Sequence, residues 1–187
     1  MAERPDHRAL AAEIHQINVE AGWWTNIQTM EPLDRNFGEM LALVHSELSE
    51  CWEGIATKRF DDHIPILPNW HVELADACIR AYDMLGGCFK DNISFSPYAL
   101  DMPEGFLSVE DRLVFLHLLL SQSLEHWRKS RKAEAKMYLV RFLDCCFEWA
   151  YEAGWDLLNI IQLKCAYNRE RIDHKIESRQ APDGKKI

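Results

Sequence analysis

The chain has 187 residues, 48% of them hydrophobic, with a formal net charge of −9. That size suits one domain with a substantial core, and the acidic balance argues against a general nucleic-acid binder. No apolar run approaches the roughly 18 residues of a membrane span, and MAERPDHRALAAEIHQ lacks the charged-then-apolar pattern of a signal peptide.

Helical periodicity runs nearly throughout. Ala9 to Ala21 reads as a first helix, and the GWW and TMEPLD stretches that follow read as loop. Asn36 can cap a long second helix, whose apolar face is Phe37, Leu41, Val44, Leu48, Cys51 and Ile55. RFDDHIPILPNW holds two prolines and reads as a loop. A third helix carries Val72, Ala75, Ile79 and Tyr82 and ends near Gly86-Gly87. Residues 91–106, with Pro97, Pro103 and Gly105, look irregular. Ser108 caps a fourth helix with Glu110 and Asp111 in its first turn. A fifth spans about 133–152, Gly154 breaks it, and a sixth covers 155–170. The tail ends in PDGKK, a turn plus charge. No strand is evident, so the expectation is a single all-α domain over 1–187. Six cysteines show neither a CxxC nor a regular framework, which suits reduced, buried thiols in a cytoplasmic protein.

An internal repeat is legible. VHSELSECW at 44–52 resembles LLSQSLEHW at 119–127, and ELADACIRAYD at 73–83 resembles EAKMYLVRFLD at 134–144. Glu50 and Glu73 match Glu125 and Glu134, while Glu47 and Asp76 are matched by Gln122 and Met137. The expectation is a four-helix core made of two copies of a helix pair, the second (about 107–153) having lost half its acidic groups.

Glu47 with Glu50, and Glu73 with Asp76, are spaced i, i+3, so each pair shares one helix face. All four flank apolar positions, which sets them at the margin of the core, where unpaired charge is costly. Two such helices side by side could aim four carboxylates into one volume. A hard divalent cation relieves the repulsion. The competing reading is an ion-pair ladder along the third helix, since Arg80 follows Asp76 by four and precedes Asp83 by three. From Lys164 to Ile187 seven basic residues face four acidic ones, so a basic tail could meet phosphates or stand as a solvated terminus.

RNFGEMLALVHSELSECWEG, HVELADACIRAYDMLGG and KCAYNRERIDHKIESRQAPDGKK together resemble the MazG-like group of all-alpha nucleoside triphosphate pyrophosphatases. The likeness covers about 35–89 and 155–187; a typical short member has only a brief connection where this chain has 90–154. The resemblance implies a MazG-like core with Glu47, Glu50, Glu73 and Asp76 as ligands of Mg²⁺, for which Mn²⁺ can substitute. It implies a C-terminal segment on the triphosphate: Lys164, Tyr167 and Asn168, extended by Arg171, His174, Lys175, Lys185 and Lys186. The implied reaction hydrolyses a nucleoside triphosphate, a deoxynucleotide in the first instance, to monophosphate and pyrophosphate. Glu50 is the candidate base and the assembly a homodimer.

Trp23, Trp24, Trp52, Trp70 and His45 are candidates for contacts to the base, with core packing as the ordinary role of a tryptophan. Gln16 and Asn18 can read a base by their amides or sit on an exposed helix face. Arg35 and Asn36 belong to the RNFGE block, with capping the plainer role of Asn36. A di-iron carboxylate bundle needs Glu-x-x-His pairs, and no Glu here has His at i+3. The remaining alternative is a catalytically silent nucleotide- or metal-binding protein of the same fold.

Overall fold

The computed structural model describes residues 5–89 and 108–185. The stretch 91–106, read as irregular, and Lys186 lie outside the described residues. The helices are α1 (His7–Glu20), α2 (Phe37–Thr57), α3 (Asn69–Cys88), α4 (Val109–Trp127), α5 (Lys132–Glu152), α6 (Leu157–Glu170) and α7 (Ile176–Gln180), with a 3₁₀ turn at Ile172–His174. Among the described residues no strand occurs, only isolated bridges between Thr25 and Pro32 and between Phe60 and Pro68. The fold is all-α.

Capping chemistry sets most of the boundaries. Asn36 accepts a hydrogen bond from the Glu39 amide at the start of α2, and Ser108 and Asp111 form a reciprocal capping box on α4. α1 starts two residues earlier than its apolar pattern suggests, because Asp6 accepts from the amides of Arg8 and Ala9. α6 starts two residues late. Gly154 turns the chain at φ +80°, and Asp156 then caps by accepting from the Asn159 amide. The 3₁₀ turn and α7 carry no apolar periodicity. Tertiary bonds hold that segment: Arg179 donates to the Gly22 carbonyl at 2.9 Å and Gln180 to the Ile27 carbonyl at 2.6 Å.

Two antiparallel helix pairs make the core. Phe37 meets Phe89 across α2 and α3, and the Cys51 thiol meets the Trp70 carbonyl at the other end. Ser123 bonds the Ala135 carbonyl and Arg112 pairs with Glu152, which fixes α4 against α5. The pairs join where α2 meets α4 and α3 meets α5; Phe37 stacks on Trp127 at 4.0 Å and His45 on His117 at 4.8 Å.

α3 is the central element, packed by α1, α2, α5 and α6. Leu74, Ala77, Cys78, Ala81, Tyr82 and Leu85 have no exposed surface. Its two glycines permit close approach: a Cβ on Gly86 would lie 2.7 Å from the Ala11 carbonyl oxygen, and one on Gly87 would enter the Trp24 ring.

α1 spans both pairs. His15 bonds Asp83 of α3 at 2.8 Å, and His7 bonds Tyr82 at 2.7 Å and Asp144 of α5 at 3.1 Å. All six cysteines are free thiols, four of them buried. No helix among the described residues is long and apolar enough to cross a membrane.

Candidate functional site

α2 and α3 face each other with their acidic positions aligned. Glu47 from α2 and Glu73 and Asp76 from α3 each bring a carboxylate oxygen within 4.8 Å of the others. Glu47 and Glu73 are buried, and Asp76 is half-buried. Glu50 lies a turn further along α2, exposed but lining the same cavity of about 430 Å³.

Each buried carboxylate has a different partner. Glu47 accepts from Arg80 Nε at 2.6 Å. Asp76 takes the Lys164 ammonium of α6 at 2.8 Å. Glu73 has no cation; it accepts from Asn69 Nδ2 at 2.8 Å. The ladder along α3, the competing reading, is therefore not what forms. Arg80 reaches across to Glu47 of α2.

Burial pushes the Glu73 carboxyl up to about 8, helped by the charges of Asp76, Glu47 and Glu50 and opposed by the Asn69 hydrogen bond. Burial also raises Asp76, to about 6, with Lys164 holding it back. Burial alone would lower Lys164; Asp76 reverses this and keeps the ammonium above its ordinary value.

The loop between α2 and α3 is pinned by Asp61, which accepts from the amides of His63 and Ile64 at 2.9 and 2.7 Å. That turn sets His63 in the cavity wall. Deeper in, Asp83 accepts from His15 Nδ1 and Trp24 Nε1, both at 2.8 Å. Arg35 lines this end with its guanidinium 5.9 Å from the Trp24 ring centre. Burial lowers its proton affinity, and Asp83 offsets part of that.

The C-terminal segment forms the opposite wall. Arg171 forks onto Asp173 at 2.9 and 2.7 Å, and Lys185 joins the same carboxylate at 3.1 Å. Burial, with Arg171 next, lowers His174 to about 4, so its imidazole is neutral at pH 7. Its ring meets Trp23 edge-on at 5.3 Å, and the Arg179 guanidinium lies 3.7 Å from the Trp23 ring centre. Asn168 lines the cavity with its Oδ1 buried and unpartnered.

The cavity thus gathers the four expected carboxylates together with Lys164, Asn168, Arg171, His174, Lys185, Asn18 and Trp23. Other expected residues stand elsewhere. Gln16 is exposed and bonds Glu20. Trp52 is 43% exposed and outside the cavity lining. His45 is engaged by His117, and Trp24 supports the wall from behind through Asp83 and Gly87. Trp70 packs against Trp149 and Trp155. Tyr167 packs near His63 and Arg171 rather than lining the space. Lys175 is exposed just ahead of α7.

Sequence reasoning passed over His63, Asp61, Asn69 and Asp83 as site residues, and gave Arg35 no role beyond its motif. Loop residues such as Asp61 and His63 carry no periodic signal; Asn69 stood four before Glu73, a helical neighbour that could have been noticed. In the second pair, Glu125 is tied to Lys129 at 2.5 Å and Arg128 at 3.2 Å, and Glu134 is exposed. The Glu47–Glu73–Asp76 group is the one metal-capable cluster among the described residues. No family model, no curated protein and no solved structure matches the chain.

Three carboxylates converging on one point, faced by cations, suit a hard divalent cation together with a polyanion. The donors are all oxygen, which fits Mg²⁺ or Mn²⁺, and the cavity of about 430 Å³ leaves room for water to complete the shell.

Proposed function

We propose that the protein is a Mg²⁺-dependent nucleoside triphosphate pyrophosphohydrolase with a MazG-like core, converting a nucleoside triphosphate and water to the monophosphate and diphosphate. One observation carries this reading. The trio Glu47, Glu73 and Asp76 lies on a cavity that Lys164, Arg171 and Lys185 also line. Carboxylates alone would repel a triphosphate, and cations alone would need no acidic partner.

Glu47, Glu73 and Asp76 would hold the metal. When bound, the ion would make its coordinated water more acidic and offset charge on the leaving diphosphate. Glu50, the acidic group not committed to the buried trio, is positioned to accept the proton from the attacking water. Arg171 and Lys185, now sharing Asp173, are the groups that can swing onto phosphate oxygens. Asn18 and Trp23 line the end suited to a base.

The second helix pair reads as a degenerate copy of the first. Asp83 and Asp144, equivalent in the repeat, each accept from a histidine of α1. With both pairs in one chain, a homodimer would be a further level of assembly rather than a requirement of the bundle.

One observation favours a silent nucleotide- or metal-binding protein instead: Glu47 and Asp76 already have resident cations. Release of pyrophosphate from a panel of ribo- and deoxynucleotides with Mg²⁺ separates the two. Metal binding without release from any nucleotide supports the silent protein. Full activity in Glu47→Gln would sink the metal assignment.

A further inference from the structure

Arg80 and Lys164 occupy two of the three carboxylates that a cation would use. The Lys164 side chain is only 4% exposed, and its ammonium sits 2.8 Å from Asp76. The Glu47 side chain is 8% exposed, with Arg80 Nε at 2.6 Å. A buried charge cannot be left uncompensated without a large penalty. Lys164 can therefore leave Asp76 only when another anion arrives to receive it. Both side chains line the same cavity as Asn168, Arg171 and Lys185, so the anion they can reach is one held in that cavity.

Resting on the metal-dependent reading above, we propose that Lys164 and Arg80 are resident counter-ions that exchange carboxylate for phosphate, so that divalent cation and polyphosphate each bind weakly alone and tightly together. Without phosphate, a cation competes with a guanidinium for Glu47 and an ammonium for Asp76. Without a divalent cation, phosphate competes with the same two carboxylates for Lys164 and Arg80. Each ligand relieves the competition facing the other, and the linkage is reciprocal. Glu73 has no resident cation and is open to the metal from the start. The arrangement favours capture of the metal–polyphosphate complex over capture of either component.

The test measures two affinities in three variants at pH 8.5, where protons compete little for the carboxylates. Mn²⁺ is titrated calorimetrically without any phosphate, and inorganic pyrophosphate is titrated at saturating Mg²⁺. Lys164→Met and Arg80→Met each remove a competitor near a dication, so Mn²⁺ is expected to bind about tenfold tighter in both. Pyrophosphate is expected to bind at least about tenfold more weakly in both. Lys164→Arg, which keeps the charge, leaves both affinities near those of the parent. A merely structural ion pair would weaken both ligands together, and unchanged or weaker Mn²⁺ binding in the Met variants overturns the exchange. Absence of saturable Mn²⁺ binding in the parent protein and in both Met variants alike overturns instead the metal reading on which it rests. Arg80 is 39% exposed, so its variant carries the test if Lys164→Met does not fold.

Discussion

Glu73→Gln should make the metal-free protein more stable at neutral and alkaline pH. Glu73 is buried, faces Asp76, Glu47 and Glu50, and has its carboxyl raised from 4.5 to about 8. A carboxyl raised on folding contributes fully below the unfolded-state value and loses that contribution as pH climbs through the folded one. Each tenfold change in proton affinity is about 1.4 kcal/mol. The penalty therefore reaches about 3 kcal/mol by pH 7 and approaches 5 by pH 9, against less than about 1 at pH 5. Asp76, raised in the same direction, steepens the slope. A glutamine keeps the oxygen that accepts from Asn69 and removes the charge. Urea unfolding in EDTA from pH 5 to 9, on parent and variant, measures the difference. The two curves should nearly meet at pH 5 and part by about 2–3 kcal/mol at pH 7. Parallel curves over that range would refute the claim that Glu73 is held as a repelled, desolvated carboxylate. Added Mg²⁺ should steady the parent at high pH and leave the variant little changed, by binding linkage.

On the acid side the slope reverses. Burial lowers His45, His117 and His174, so stability falls as pH drops through the ordinary histidine range; a His45→Leu/His117→Leu double variant should flatten that fall in thermal melts. Gly86→Ala gains about 1 kcal/mol of helix propensity but drives a methyl against the Ala11 carbonyl and His15, so a net loss of about 1–3 kcal/mol is expected in urea midpoints; a stabilised variant would contradict the close α1–α3 approach. Arg179→Met removes the bond to Gly22 and the cover on Trp23, and limited proteolysis should then cut after α6 at least about tenfold faster, for about 1.5–3 kcal/mol of lost docking.

The helices were readable because their signals are local. Asn36, Ser108 and Gly154 punctuate the chain as their chemistry demands, and the spacing of Val72, Ala75, Ile79 and Tyr82 marks the buried side of α3. The four acidic positions were found by the same means, since an i, i+3 spacing is itself a statement about one face. What escaped were relations between elements. Nothing near Arg80 says that its partner is Glu47 rather than Asp76, for the choice depends on how α2 lies against α3. The tail from Ile172 to Gln180 has no apolar stripe, and its structure comes from Gly22, Trp23 and Ile27, about 150 residues away. Tryptophans misled most: Trp52 and Trp70 look like ligand contacts in sequence, but one is out on the surface of α2 and the other sits in an aromatic cluster away from the cavity.

The contact of α1 with both helix pairs changes how the second pair should be regarded. His7 and His15 lie two turns apart on one helix and anchor it to Asp144 and Asp83. The same helix carries Asn18, and the chain leaves it directly into Trp23, both on the cavity wall. The half without the acidic trio therefore acts as a foundation: it sets the tilt of the beam from which part of the site hangs. Substitution in it costs core packing at positions such as Leu120 and Phe142, and at Asp144 and the Phe147 ring beside His7 it also reaches α1. A lesion there would act through His7 on the helix that carries Asn18.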